Sequence, residues 1–502
     1  MGFIDNLLNR VTMYRLVLYY LLVLLAAAIA YALFGYMQYT ALSIALSASF
    51  FIGACLIINY AFAAFFKAPT NVESVYITAL ILALIMPATL AASAQGVIAL
   101  VLISLFAMGS KYLLTIGNRH IFNPAGIAAV GSYFLLSTPA SWWVGGNLAL
   151  LPFVAVGGLL IVRKLQRFDL VLAYSAAAYL SVLLTSVSHD PLAIAQKISL
   201  HSSFFFFGLV MLTEPLTTPP RRGMRLAYGA LAGALFAPGV HIGALYSTPE
   251  LALSAGNVFS WVVSPKTRAL LTLKRKEKTG IATSEFIFQT DKPIAFKPGQ
   301  YLEWTLPHKK PDNRGNRRYF TIASSPTESE VHLGVRFNEP SSSFKRALQG
   351  LEPGARLTAA SLAGDFTLPH NTHEKLVFIA GGIGITPFRS MTKYLIDKQE
   401  KRDVVLFYSA RTPDDIAYKQ VFDEAAKVGM RTVYAVNEGT APQGGYTGFI
   451  TAEILKKEVP DYKERVFYLS GPRSMVVAFE HTLKELGVHR TRIKTDFFPG
   501  FA

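Results

Sequence analysis

Cysteine is almost absent: Cys55 is the only one in 502 residues. A single thiol excludes a disulfide framework within the chain, and it excludes an iron–sulfur cluster held by four of the chain's own thiolates. Charge is scarce in one half. Residues 1–263 contain 12 Lys and Arg and 6 Asp and Glu, against 36 and 26 in residues 264–502. Nearly uncharged apolar runs fill that first half, which excludes a water-soluble monomer. Acids are too few to balance the bases, leaving a formal charge of +16. The excess does not form a nucleic-acid footprint. Its cations sit between apolar runs in the first half and beside acids in the second, so anionic lipid is the simpler partner.

A membrane crossing needs about 20 mostly apolar residues. Ten stretches come near that length, at 15–35, 41–66, 75–90, 95–113, 121–136, 144–162, 168–187, 200–215, 224–237 and 241–263. Several are short, and two read equally as half-helices. The first is too long, and too poorly followed by a cleavage site, for a secretory signal. With the N-terminus inside, thirteen cations fall in inner segments, from Arg10 and Arg15 to Lys266 and Arg268, and Lys197 alone falls outside. That asymmetry predicts about ten spans with both ends in the cytoplasm.

Five spans per half would make an internal repeat inverted. Ile85-Met86-Pro87 echoes Glu214-Pro215, and His120 to Pro124 echoes His241-Ile242 with Pro249 beyond. Proline breaks at matching places point to a midplane site, although prolines also simply begin and end membrane helices. Glu214 is the acid to watch, because a carboxylate at the edge of a span is expensive. Its neighbours Thr213, Thr217 and Thr218 offer hydroxyls for a polar ligand or an ion. The plainer alternative is a solvated helix end, with Arg221, Arg222 and Arg225 setting topology.

His-Ile-Phe-Asn-Pro-Ala-Gly at 120–126 and Leu-Thr-Glu-Pro-Leu-Thr-Thr-Pro at 212–219 together resemble one membrane family. It is the fold shared by the B subunit of sodium-pumping NADH:quinone reductase and the D subunit of the Rnf complex. The resemblance implies a flavin-carrying electron-transfer subunit, with Asn123, Thr213, Glu214, Thr217 and Thr218 at its site. The Ser-Gly-Ala-Thr stretch that receives covalent FMN in that family is missing, so a non-covalent FMN or riboflavin is expected.

From about residue 268 the pattern changes to short alternating runs broken by turn residues. Thr283–Thr290, Tyr301–Leu306, Arg318–Ala323, Val331–Phe337 and Arg356–Ser361 predict a small antiparallel barrel. After Glu374, strands alternate with helices: Leu376–Ala380, a helix from Pro387, Val404–Ser409, a helix over 415–427, Arg431–Val436, Val466–Ser470 and a helix over 474–486. That alternation predicts a parallel α/β sheet. The expected architecture is a polytopic α-helical membrane domain at 1–263, an antiparallel β-barrel at 264–372 and an α/β domain at 373–502.

Arg318-Tyr319-Phe320-Thr321, running on to Ser324, offers a cation, an aromatic ring and a hydroxyl in one strand. Phe378 to Pro387 is an apolar strand, then Gly381, Gly382 and Gly384, then a helix opened by Thr386 and Pro387. Glycines there let backbone N–H groups approach a pyrophosphate at a helix start. Tyr468-Leu469-Ser470-Gly471-Pro472 and the terminal Asp496, Phe498 and Phe501 follow in order. These motifs resemble the ferredoxin-NADP-reductase-like flavoproteins. The resemblance implies FAD in the barrel, with Arg318 at its pyrophosphate, Tyr301, Tyr319, Phe320, Thr321 and Ser324 around it, and Ser342 and Ser343 at a phosphate-side helix start. It implies NADH or NADPH on the sheet, along the three glycines, Thr386, Pro387, Gly471 and Pro472. Thr321, Ser470, Asp496 and Phe498 would then face the reacting rings. Two departures stand out: Phe320 replaces a usual Tyr, and Ser470 a usual Cys. Ser409 and Arg411 would suit a 2′-phosphate, yet Asp414 and Asp415 would repel it.

The expected protein is an NAD(P)H dehydrogenase of the cell's plasma membrane with its flavoprotein module in the cytoplasm. It would pass electrons through a membrane flavin to quinone or an outer acceptor, alone or with partner subunits, with or without Na+ or H+ translocation. A haem-containing ferric reductase or NADPH oxidase is the rival, but His120, His189, His201 and His241 put no two histidines on one span. A transporter with a flavin-sensing domain and a purely structural subunit are the others.

Overall fold

The computed structural model describes residues 8, 11–66, 72–116, 119–186, 190–264, 268–308, 312, 316–337, 339, 341–442 and 444–496. The chain divides into two compact units, Met1–Ser264 and Pro265–Ala502.

The N-terminal unit is helical. Each predicted apolar stretch contains a helix, but four are long and apolar enough to cross a membrane: Met13–Leu33, Ala41–Phe65, Ala94–Leu113 and Phe168–Thr185. A bent pair, Pro191–His201 and Phe204–Met211, meets at 70° and raises the number to five among the described residues. Of the roughly ten expected spans, two of them readable as half-helices, four or five thus have crossing length among the described residues. Val72–Ile85, Pro124–Leu136, Leu151–Leu165, Arg222–Ala234 and Pro249–Val263 have 13 to 15 residues, or about 20 Å each at 1.5 Å per residue.

The proline echoes become matching local structures. A two-residue ladder pairs Thr115–Ile116 with Arg119–His120, and the Asn123-capped helix Pro124–Leu136 follows. A second ladder pairs His241–Ile242 with Leu245–Tyr246, and the Thr248-capped helix Pro249–Val263 follows. In both helices Pro occupies the first turn, where its missing N–H removes nothing.

The C-terminal unit holds two sheets. Strands β1 (Arg268–Lys278), β2 (Thr283–Thr290), β3 (Tyr301–Thr305), β4 (Arg317–Thr321), β5 (Val331–Arg336) and β6 (Arg356–Ala363) form one antiparallel sheet in the order β4-β3-β6-β1-β2-β5. Its edges meet where the Ala323 N–H donates to the His332 carbonyl at 2.9 Å, curling the sheet into a barrel. Strand β1 was not among the expected strands. Its inner positions Ala269, Leu271 and Leu273 are buried, while its second half is an exposed charged run.

Strands β7 (Leu376–Gly381), β8 (Val404–Ala410), β9 (Met430–Val436), β10 (Tyr446–Thr447), β11 (Val466–Ser470) and β12 (Ile493–Thr495) form a parallel sheet ordered β10-β9-β8-β7-β11-β12. Strand β7 is buried at every residue, as a central parallel strand covered on both faces must be. The chain leaves β7 toward β8 and later returns on its other side as β11. In such sheets the carboxyl ends at this switch point form the ligand crevice.

Candidate functional site

A cleft of about 770 Å³ opens at that switch point. Three motifs distant in sequence line it together. Tyr319, Phe320 and Thr321 come from β4, Gly381, Gly382, Gly384 and Thr386 from the turn after β7, and Ser470, Gly471, Pro472 and Asp496 from the ends of β11 and β12. Ser409 and Arg411, at the end of β8, complete the predicted residues that reach it.

The glycine turn has a steric reason. A Cβ on Gly384 would lie 2.4 Å from the Ser470 carbonyl oxygen and 2.5 Å from Gly471 backbone atoms. Gly382 has φ +52°, a conformation costly to most other residues. Pro387 is buried in the first turn of the helix Thr386–Lys398, behind the cleft wall. At the opposite wall, the Ser470 hydroxyl donates to Asp496 Oδ2 at 3.1 Å, and the Asp496 N–H is tied to the Leu469 carbonyl. Pairing of β12 with β11 brings Asp496 there, and Lys494 secures it by donating to the Tyr468 hydroxyl at 2.8 Å. Burial lowers the pKa of that ammonium.

Other predicted residues lie off the cleft lining. Tyr301 sits edge-on to Tyr319 at 5.7 Å, which fixes that ring from behind. Arg318, Ser342 and Ser343 gather elsewhere, around Asp312. Arg318 is buried, 3.3 Å from Asp312 Oδ1 and 5.2 Å over the Phe344 ring. The Ser343 N–H donates to Asp312 Oδ2 at 3.0 Å, and Ser342 caps the short helix Ser343–Gln349. Ser324 is structural: its hydroxyl accepts from the His332 N–H at 3.1 Å and its carbonyl accepts from the Ser390 hydroxyl at 2.6 Å. Phe498 and Phe501 lie outside the described residues.

Arg336, Lys345, Asn437 and Phe449 line the cleft without having been singled out in the sequence. Arg336 ends β5, and its Nε is buried without a hydrogen-bond partner. Its Nη1 lies 3.3 Å from where a Cβ on Gly382 would stand. An orphaned guanidinium nitrogen beside a glycine turn suits a phosphate. With the aromatic residues and hydroxyl of β4, the lining fits a flavin and a nicotinamide dinucleotide. Strand-final arginines are common on surfaces, so only the fold reveals this one.

A hydrogen-bonded bridge ties the flavin-motif segment to the nucleotide helix. Buried Arg389 donates to the Ala323 carbonyl at 3.2 Å and pairs in fork geometry with Glu328. Burial pulls the Arg389 pKa down, but the Glu328 and Glu285 carboxylates outweigh it and hold it raised. Glu285 feels the reverse balance: burial pushes it up, and the His332 and Arg389 contacts hold it below the usual carboxylate range.

In the N-terminal unit, Asn123 Nδ2 donates to Glu214 Oε2 at 2.8 Å, and the Thr217 hydroxyl reaches the same oxygen at 3.2 Å. Thr213 and Thr218 instead serve backbone carbonyls, those of Leu209 and of Leu212 and Glu214. Two residues not expected extend the cluster. Asn257 Oδ1 accepts from the Asn123 N–H at 2.7 Å, and its amide donates to the Tyr228 hydroxyl at 3.3 Å.

The fold and cleft define the C-terminal half as a ferredoxin-NADP-reductase-like module that binds FAD and a nicotinamide dinucleotide. Residues 378–481 match the family described as the oxidoreductase NAD-binding domain. The chain is 28% identical over 221 residues to the glycine betaine monooxygenase reductase subunit of Chromohalobacter salexigens, covering 42% of this chain and 59% of that one. It is 28% identical over 241 residues to a flavohemoprotein of Oceanobacillus iheyensis, covering 46% and 59%. It is 31% identical over 227 residues to the stachydrine N-demethylase reductase subunit of Rhizobium meliloti, covering 43% and 64%. The chain thus spans about three-fifths of the length of these curated relatives.

Proposed function

We propose that this chain is a membrane-bound NAD(P)H oxidoreductase that feeds electrons from the cytoplasmic nucleotide into the membrane. The carrying observation is the single cleft shared by the β4 motif, the glycine turn after β7 and the Ser470–Asp496 pair. When bound, FAD supplies the conversion from a hydride donor to single-electron carriers. The chain's own residues orient and exclude. Tyr319 and Phe320 offer aromatic contact, Thr321 a hydroxyl, and the close-packed glycine turn lets backbone approach a pyrophosphate. Asp496 holds the Ser470 hydroxyl at the end of β11, where a nicotinamide would need orienting.

In this reading the apolar helices anchor the chain in the plasma membrane, both termini face the cytoplasm, and the N-terminal unit carries a non-covalent FMN or riboflavin. Quinone or an outer acceptor takes the electrons, with partner subunits and Na+ or H+ coupling as further parts of the proposal. The Asn123–Glu214–Thr217 cluster supports a polar site there, because a half-buried carboxylate among apolar helices is expensive and by default marks a functional site.

Flavin analysis of detergent-purified protein, with a haem spectrum and NADH or NADPH oxidation by an artificial acceptor, tests this. Extractable FAD, a second flavin, no haem and turnover are expected. FAD alone would end the pathway at the cytoplasmic module, and haem would replace the membrane flavin with the rival reading.

A further inference from the structure

The cleft described above has two chemically different ends, and they bear on which nucleotide it takes. Three cations line it among the described residues: Arg336, Lys345 and Arg411. Arg336 lies beside Gly382, and Lys345 is held near it by donating to the Arg336 carbonyl at 2.9 Å. Both therefore belong to the glycine-turn end. Arg411 follows β8, and Asn437, just past the end of the neighbouring β9, lines the cleft with it.

Arg411 is already engaged. Its Nε lies 3.0 Å from Glu438 Oε1, and the Glu438 N–H donates to the Arg411 carbonyl at 2.8 Å. The backbone contact continues the ladder between β8 and β9, in which the Asn437 N–H reaches the Ala410 carbonyl at 3.3 Å. Gly439, with φ +87°, turns the chain away against Pro413. The fold thus fixes the Glu438 backbone beside Arg411, and the two side chains pair at the surface, each more than half exposed. Asp414 and Asp415 add two more acids on the turn that follows Arg411.

We infer that Glu438 makes this cleft select NADH over NADPH by occupying Arg411, the cation that a 2′-phosphate would require. The inference rests on the reading of the cleft as a nicotinamide dinucleotide site. A 2′-phosphate carries about −1.5 to −2 charges near neutrality. Bringing it to one arginine that already pairs with an acid at the surface, with two further acids on the next turn, is in part a like-charge encounter, which disfavours the wrong partner. A 2′-hydroxyl is uncharged and meets no such repulsion.

The test uses the full chain purified in detergent and loaded with FAD, comparing kcat/KM for NADH and NADPH with an artificial electron acceptor. The wild type is expected to favour NADH by about tenfold or more. Glu438→Gln keeps the side chain's size and releases Arg411, so NADPH kcat/KM should rise about tenfold while NADH changes little. Adding Arg411→Gln should erase that gain. Calorimetry supplies a second readout: Glu438→Gln should tighten 2′-phospho-ADP-ribose and leave ADP-ribose nearly unchanged. A wild type that prefers NADPH, or a preference unmoved by Glu438→Gln, overturns the inference while leaving the cleft reading standing. Absence of binding by either ADP-ribose compound would remove the cleft reading and the inference with it.

Discussion

In the N-terminal unit the helix Val72–Ile85 stops inside the protein, and its last carbonyls are taken up at once. The Ile85 carbonyl accepts from the Ser141 and Trp142 N–H groups at 2.8 and 2.9 Å, and the Trp143 indole serves the carbonyls of Ala83 and Met86. The later break, after Met211, is closed by the Thr218 hydroxyl. In the C-terminal unit, β7 ends just as abruptly, but its glycine turn faces a cleft large enough for a nucleotide. Surroundings explain the difference. Backbone groups freed among apolar helices must find partners in the protein, whereas those on a wet cleft can wait for water or a ligand.

Removing buried partners sharpens that contrast. Arg389→Met, in the C-terminal unit, strands Glu328 and unties the flavin segment from the nucleotide helix. We expect a loss of about 3–5 kcal/mol, read from denaturant-driven flavin release; a loss below about 1 kcal/mol would show that the bridge is ornamental. Gly384→Ala attacks the cleft itself, because its Cβ would meet backbone that cannot yield. NADH oxidation should fall about 100-fold, the scale for a displaced reacting geometry, and an unchanged kcat/KM would reject the close-packing argument.

Thr218→Val probes the sealed break in the N-terminal unit. It leaves the Leu212 and Glu214 carbonyls without their hydroxyl, at a cost of about 2 kcal/mol, and Thr218→Ser should restore most of it. Thermal unfolding in detergent measures both; equal stability of the Val and Ser variants would contradict the sealing. The smallest effect concerns Asp461, which bonds to Arg465 and Lys375. Those partners lower its pKa from 3.8 to about 2. A depressed carboxylate stabilises fully above its unfolded value and loses that contribution as pH falls through its folded one. Asp461→Asn should therefore reduce stability by about 1 kcal/mol above pH 4, after allowance for solvent screening. The difference from wild type should shrink as pH falls toward 2 and vanish below it.

The two units also differed in how openly their sequences displayed them. The glycine turn was legible because few residues fit such a turn, and Gly381, Gly382 and Gly384 announce it by identity. Ser470 and Asp496 were picked out by resemblance, Ser470 at the end of an apolar strand and Asp496 near the chain's end. Arg318 was placed by resemblance at a phosphate; the structure adds Asp312 beside it, a partner that no spacing rule connects to it. Arg336 and Glu438 were invisible because a charged residue at a strand end looks like surface. Strand β1 was missed because the run Lys274–Lys278 masks the alternation before it. Among the apolar helices, hydropathy marked the apolar stretches but could not see where hydrogen bonding breaks, so it did not say which of the short ones, such as Pro124–Leu136, fall below crossing length. Asn257 and Tyr228 joined the Glu214 cluster only through tertiary contact.

The stretch Phe207–Met211 is wound as a π-helix, with the Leu212 N–H reaching back five residues to the Phe207 carbonyl at 3.0 Å. Such a turn is equivalent to one residue inserted into an α-helix. Each α-helical residue turns the chain by about 100°, so rewinding these same residues as an α-helix would swing everything beyond them by that angle. Glu214 would then point away from Asn123 with its composition, hydropathy and neighbours in sequence intact. The acid's direction is set by the winding of the backbone upstream of it, which fixes the position of its chemistry without involving a single polar side chain.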